Sequence, residues 1–184
     1  MAPACPPPTI CAGICRFLPE SIDLTQPLQG ERAAPYVTYY EDTTRQLGFE
    51  ALLKRQDRGN TVALTHGYSN RGMSSSALWM EFSASNPTDQ LKSWLVEATY
   101  SHIDFIDVYL VAEDETVEHL KLGDRRPFSN RPIAAETFVI PIDTPAHSSS
   151  RVLIRMAYQD IGLLDSNLQL WSPEVTPPTL SRTD

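Results

Sequence analysis

Between Ala77 and Tyr158 the chain runs as short segments in which apolar and polar residues alternate with a period of two, each closed by a turn. Leu78, Met80 and Phe82 alternate with Trp79, Glu81 and Ser83 until Asn86-Pro87-Thr88-Asp89 ends the run. The same pattern recurs over Leu91 to Tyr100, Ile106 to Val111, Thr116 to Leu122, Thr137 to Ile142 and Arg151 to Tyr158, with Leu168 and Leu170 suggesting a last strand. Parallel α/β sheets need long crossover helices between strands, and this region has no room for them. The pattern therefore predicts an all-β fold, an antiparallel β-sandwich of jelly-roll type.

Upstream, Ile22 and Leu24 suggest a short edge strand and Tyr36 to Tyr40 another. After a turn at Glu41 to Thr44, the spacing of Leu47, Ala51, Leu52 and Leu53 predicts one short helix from Arg45 to Arg55, capped by Thr44. Glycines and polar residues make the stretch to Ser76 read as loop. The organisation expected is a disordered or processed segment at 1–20, a sandwich at 21–173 and a proline-rich tail or linker at 174–184.

Charge narrows the function classes. Fifteen Lys and Arg are scattered among 23 Asp and Glu, a net charge of −8, so the basic stripe that nucleic acid or anionic lipid requires is missing. Cys5, Cys11 and Cys15 all fall in the first fifteen residues, leaving the sandwich without a disulfide or a zinc pattern. No run approaches the ~20 apolar residues of a membrane helix.

Residues on the outer faces of the strands carry the chemistry. If Ile106, Val108 and Leu110 point inward, Asp107 and Tyr109 stand outward. Arg155 is outward when Val152, Ile154 and Met156 are buried, and Glu97 when Trp94 and Val96 are. Arg131, from the long loop at Gly123 to Pro132, is expected to reach this group, and Trp79 either packs in the core, as tryptophans in sandwiches usually do, or offers a platform for a sugar ring. Guanidinium forks grip carboxylates or paired oxygens while Asp and Glu accept hydroxyl protons, which suits a polyhydroxylated or carboxylate ligand. The competing reading is a structural ion pair between Arg155 and Asp107 or Glu97. No cofactor is expected. Calcium at Glu41-Asp42 or at Glu113-Asp114-Glu115 is the alternative, although neither run has EF-hand spacing. The four histidines are dispersed and no nucleophile motif stands out, so binding rather than catalysis is expected.

An ordered series of phrases resembles a known family: Tyr39-Tyr40-Glu41-Asp42, Gly67-Tyr68-Ser69, Ala77-Leu78-Trp79-Met80-Glu81-Phe82, Trp94-Leu95-Val96-Glu97, Ile103 to Leu110, Leu122-Gly123-Asp124, Pro127 to Pro132 and Val152 to Arg155. It is similar to the extracellular sensor domain, DISM-type and of the second class, of bacterial seven-transmembrane receptors with diverse intracellular signalling modules. The resemblance spans roughly Leu24 to Pro173. It implies a jelly roll similar to carbohydrate-binding modules, placed in the periplasm as the ectodomain of an inner-membrane receptor. Its partners would be a small-molecule or glycan ligand and a diguanylate cyclase or histidine kinase output. Membrane attachment would come only through a seven-helix segment that these 184 residues lack. The alternative is a protein-interaction or dimerisation module, a homodimer included.

Overall fold

The computed structural model describes residues 20–56, 62–63 and 70–175. The expectations for 1–19 and for the tail beyond 175 lie outside the described residues. The strands are β1 (Ile22–Asp23), β2 (Gln29–Arg32), β3 (Thr38–Asp42), β4 (Val62–Ala63), β5 (Asn70–Ser74), β6 (Ala77–Asn86), β7 (Lys92–Ala98), β8 (Phe105–Val111), β9 (Val117–Leu122), β10 (Phe138–Thr144), β11 (Ser148–Ala157), β12 (Gly162–Asp165) and β13 (Leu168–Trp171), with one α-helix, α1 (Phe49–Gln56). A seven-stranded sheet runs β4-β3-β6-β11-β8-β9, with β1 joining β6 in parallel. The order β10-β7-β13-β2 makes a four-stranded sheet, and β12 pairs with β5. Apart from β1 on β6, the pairings are antiparallel.

The two larger sheets face each other across one apolar core, as the period-2 pattern requires. Leu78, Met80 and Phe82 on β6, Ile106 and Val108 on β8, and Val152, Ile154 and Met156 on β11 meet Trp94, Val96, Phe138, Ile140, Leu168 and Leu170 of the other sheet. All are nearly inaccessible, and each such side chain contributes about 1.5–3 kcal/mol by leaving water. Trp94 packs edge-on against Phe82 and satisfies its indole N–H by donating to the Thr144 hydroxyl at 3.1 Å.

Each sheet also has a covered outer face. Leu52 of α1 lies on Trp79 and Leu153 of the seven-stranded sheet. Ala135, with Ile133 and Val175 against it, lies on Leu95, Val139 and Trp171 of the four-stranded sheet.

The helix begins at Phe49 rather than at Arg45. One oxygen of the Asp42 carboxylate accepts the Thr44 N–H and hydroxyl and the other accepts the Leu47 N–H, while Arg45 adopts φ 61°. A left-handed residue cannot sit in a helix, so helical bonding starts only where the Leu52 N–H reaches the Gly48 carbonyl. Short strands β2, β4, β5 and β12 were not legible in the alternation. In β2 the reason is plain, since Gln29-Gly30-Glu31-Arg32 is an exposed edge with no apolar residue to mark a face.

No helix among the described residues is long and apolar enough to cross a membrane.

Candidate functional site

Register lines up the outward side chains of the seven-stranded sheet in rows. Tyr40, Trp79, Arg155, Asp107 and Lys121 are successive cross-strand partners on β3, β6, β11, β8 and β9. In the next row, Glu81, Leu153, Tyr109 and His119 follow on β6, β11, β8 and β9. Four of the residues singled out in the sequence, Trp79, Asp107, Tyr109 and Arg155, therefore share one face.

Asp107 is the centre of this face. Both its oxygens accept from Arg126 Nη2 at 3.0 Å, His119 Nε2 lies 3.0 Å from Oδ1, and Arg155 Nη1 stands 4.0 Å from Oδ2. Arg126 comes from the turn after β9 and also donates to the carbonyls of Ile106 and Leu122. That turn depends on Gly123, whose φ is 126° and whose place leaves no room for a Cβ, which would fall 2.2 Å from the Asp104 carbonyl oxygen. Arg155 also donates to the Arg45 carbonyl at 3.0 Å, tying β11 to the turn that leads into α1.

Rings lie beside the charges. Tyr109 stacks on Phe49 of α1 at 4.4 Å and 9° and on His119 at 4.2 Å and 13°. Two parallel rings cannot share one face of a third at such distances, so Tyr109 is held between them. Burial, and next the charge of Asp107, raise the Tyr109 hydroxyl above the usual phenol range, against the opposing pull of Arg155 and Arg126. It is a neutral hydroxyl at physiological pH.

The charge balance here differs from that of the chain. Arg126 and Arg155 pair with one carboxylate, and Lys121 is its register partner on β9, so the row around Asp107 carries an excess of positive charge in a protein of net charge −8. The cluster is only partly open: the side chains of His119, Arg126 and Arg155 are 32%, 19% and 18% exposed. Trp79 is shut in beneath Leu52, with 1% exposure, and its indole N–H has no hydrogen-bond partner among the described residues. Neither face of its ring is left for a ligand.

Glu97 and Arg131 are placed elsewhere. Glu97 is on β7 of the four-stranded sheet and points outward, but it is 2% exposed and accepts from the Thr137 hydroxyl at 2.8 Å and the Trp171 indole at 3.0 Å. Trp171 lies across Gly30, where a Cβ would meet the ring at 2.6 Å. Arg131 donates to the carbonyls of Ala135 and Glu136 and stacks over Phe128 and Phe138, 4.8 and 4.3 Å from their centroids. It organises its own loop.

Sequence reasoning missed Arg126, His119, Lys121 and Phe49. For His119 and Lys121 a signal existed, because pairing β9 with β8 as a hairpin sets them opposite Tyr109 and Asp107. Arg126 had none, since a loop has no period to aim its side chain.

The acidic stretches considered for calcium are engaged locally. Asp114 accepts the N–H and hydroxyl of Thr116, Glu113 accepts the Ser149 N–H, and Asp42 holds the turn before α1. Among the described residues no group of three His, Cys, Asp or Glu could hold a metal ion.

Residues 34–172 match the family described as 7TMR-DISM extracellular 2. No curated protein matches the chain. Among solved structures, a family GH115 4-O-methyl-alpha-glucuronidase with specificity for decorated arabinogalactans is similar at 14% identity and a TM-score of 0.33, over 80% of this chain and 18% of that one. The chain thus spans less than a fifth of that enzyme's length, and the likeness bears on neither activity nor substrate. The family match takes in strands β3 to β13: the chain belongs to the 7TMR-DISM extracellular 2 family, the extracellular sensor domains of seven-transmembrane receptors, and its place is periplasmic.

Proposed function

We propose that this chain is the ligand-binding unit of a periplasmic sensor, that its ligand is a carbohydrate or a small carboxylate, and that the receptor's output is a diguanylate cyclase or a histidine kinase. The observation that carries the ligand reading is the surplus of positive charge around Asp107. Arg126 commits Nη2 to Asp107 and Nη1 to the Ile106 and Leu122 carbonyls, whereas Arg155 Nη1, 4.0 Å from Oδ2, is beyond hydrogen-bond distance and is placed to donate to a second carboxylate. Lys121 is the register partner of Asp107 on β9, and the exposed edge of His119 is placed to meet a ligand hydroxyl. An acidic sugar would use all three.

A thermal-shift screen of hexuronates, dicarboxylates and neutral sugars tests this reading. A ligand at 100 times its dissociation constant stabilises by about 2.7 kcal/mol. The expected result is a rise in Tm with a carboxylate or sugar that disappears in Arg155→Ala, while that variant keeps a cooperative melt. No rise with any ligand, or a rise that Arg155→Ala leaves untouched, removes the outer face as the site. A mass that grows with concentration, without any ligand response, would favour the dimerisation reading instead.

A further inference from the structure

We propose that the mouth of the sandwich between β9 and β10 is a second ligand site, independent of the Asp107 face, and that it takes a small organic cation: an ammonium group carried on an apolar body. β9 is the edge strand of the seven-stranded sheet and β10 that of the four-stranded one. Between them opens a cleft of about 490 Å³, in the range of small-molecule sites, and none of its lining residues belongs to the Asp107 cluster.

Strand period shows why the core stops here. On β9, Glu118 shares a face with Leu120 and Leu122 and is the register partner of Leu110 on β8, so it stands on the side turned toward the other sheet. On β11, Ser150 continues the inward series Met156, Ile154 and Val152, and on β10, Thr144 continues Phe138, Ile140 and Ile142. Polar residues at these core-facing positions end the apolar filling while the sheets still face each other. Leu110 is half-buried, and Val117 and Pro141 are exposed, so apolar surface lines the cleft within a ligand's reach.

The walls are fixed by their own bonds. The hairpin from β8 to β9 is closed by the Ala112 N–H donating to the Thr116 carbonyl at 3.0 Å, and Glu113 ties it to β11 by accepting the Ser149 N–H at 3.3 Å. On β10, Asp143 accepts the Ser93 hydroxyl at 2.6 Å. At the base, the Trp94 indole donates to Thr144, whose hydroxyl lies 2.8 Å from that of Ser150. Whichever of the two hydroxyls donates, Ser150 keeps a lone pair that can accept from an ammonium N–H.

Charge selects the ligand class. Among the described residues the lining holds two carboxylates, Glu118 and Asp143, and no Lys, Arg or His. Glu118 has neither a hydrogen-bond donor nor an ion-pair partner among the described residues. The acidic turn Glu113-Asp114-Glu115, between the lining residues Ala112 and Thr116, deepens the negative potential. This is the reverse of the surplus at Asp107. A cation with an apolar body meets the carboxylates at the rim and Leu110, Val117 and Pro141 along the walls. An inward charge on an edge strand also discourages edge-to-edge pairing, a role that needs no ligand.

Amide-resolved NMR titration with three probes of one shape and different charge separates the two roles: phenethylamine, phenethyl alcohol and phenylacetate. Saturable shifts are expected with the amine at the Val117, Glu118 and Ser150 amides and the Trp94 indole N–H, with the alcohol at least about threefold weaker and phenylacetate weaker still. Glu118→Gln/Asp143→Asn, at two exposed positions, should keep the wild-type melt, since Asn still accepts from Ser93, and should weaken the amine about tenfold. No saturable shift with the amine, equal affinity for the alcohol or phenylacetate, or shifts at the Arg126 and Arg155 side chains instead would overturn the proposal. A double variant that self-associates while its amine affinity is unchanged would overturn it too, and would leave Glu118 as a guard of the edge.

Discussion

The two sheets of the sandwich each turn a carboxylate away from the core, and the two carboxylates have opposite fates. Asp107, on the seven-stranded sheet, is 8% exposed and sits among Arg126, Arg155 and His119, whose side chains keep 18–32% exposure. Glu97, on the four-stranded sheet, is sealed at 2% exposure and bonded to the Thr137 hydroxyl and the Trp171 indole. Strand alternation assigns a side chain to a face, but what covers the face decides its chemistry. On the Asp107 face α1 covers Trp79 and Leu153 and reaches Tyr109 through Phe49, leaving the carboxylate to Arg126, Arg155 and His119; on the Glu97 face Ile133 and Ala135 pack over Leu95, Val139 and Trp171.

If Glu97 is structural, Glu97→Ala should cost most, roughly 3–5 kcal/mol in urea denaturation, because two buried donors lose a charged acceptor. Ligand affinity of the folded fraction should not change. A cost near that of a surface substitution would break the comparison. Asp107→Asn should cost less, about 2–3 kcal/mol, since the arginines it abandons are partly solvated. A carboxylate ligand should recover part of that loss by restoring the counter-charge, and no carboxylate should rescue Glu97→Ala.

Asp42 sharpens the comparison through pH, since it shapes the turn that delivers α1 to the Asp107 side. Burial pushes its carboxyl up, but the Thr44 hydroxyl and the N–H groups of Leu47, Thr44 and Arg45 together pull it further down, below the ordinary carboxylate range. A folded-state value below the unfolded one gives stability that is present above the unfolded carboxylate pKa and is lost as pH falls through the folded one. Asp42→Asn should therefore cost about 1–2 kcal/mol at neutral pH and little in strong acid, read from urea melts across the acid range. The smallest effect is expected at His119→Ala, about 0.5–1.5 kcal/mol for the lost stack on Tyr109 and the lost contact with Asp107 at a partly exposed position. Its larger consequence should be a weaker ligand response.

The fold was legible because alternation over Ala77 to Tyr158 is strong and leaves a single solution for the core. Ile106 and Val108 point inward and Asp107 outward as the period dictates, and the Trp79–Arg155–Asp107 row appears once β11 is seen to lie between β6 and β8. Sheet membership was not legible. Nothing in Trp94-Leu95-Val96-Glu97 says that β7 pairs with β10 and β13 rather than with β8, so Glu97 looked like a neighbour of Asp107. Arg131 was misplaced for a related reason: a loop side chain has no period, and Phe128 and Phe138 capture its guanidinium. The helix start was hidden by the Asp42 turn, a side-chain-to-backbone device that outweighs the apolar spacing of Leu47 to Leu53.

Calorimetric titration of glucuronate into the wild type and Arg155→Ala, each at low and high salt, tests the central claim that positive surplus on the Asp107 face recognises a carboxylate. The account predicts saturable heat at one site, weakened about tenfold or more by the substitution and weakened by salt in the wild type. Equal affinity in both proteins, or no heat in either, would contradict it.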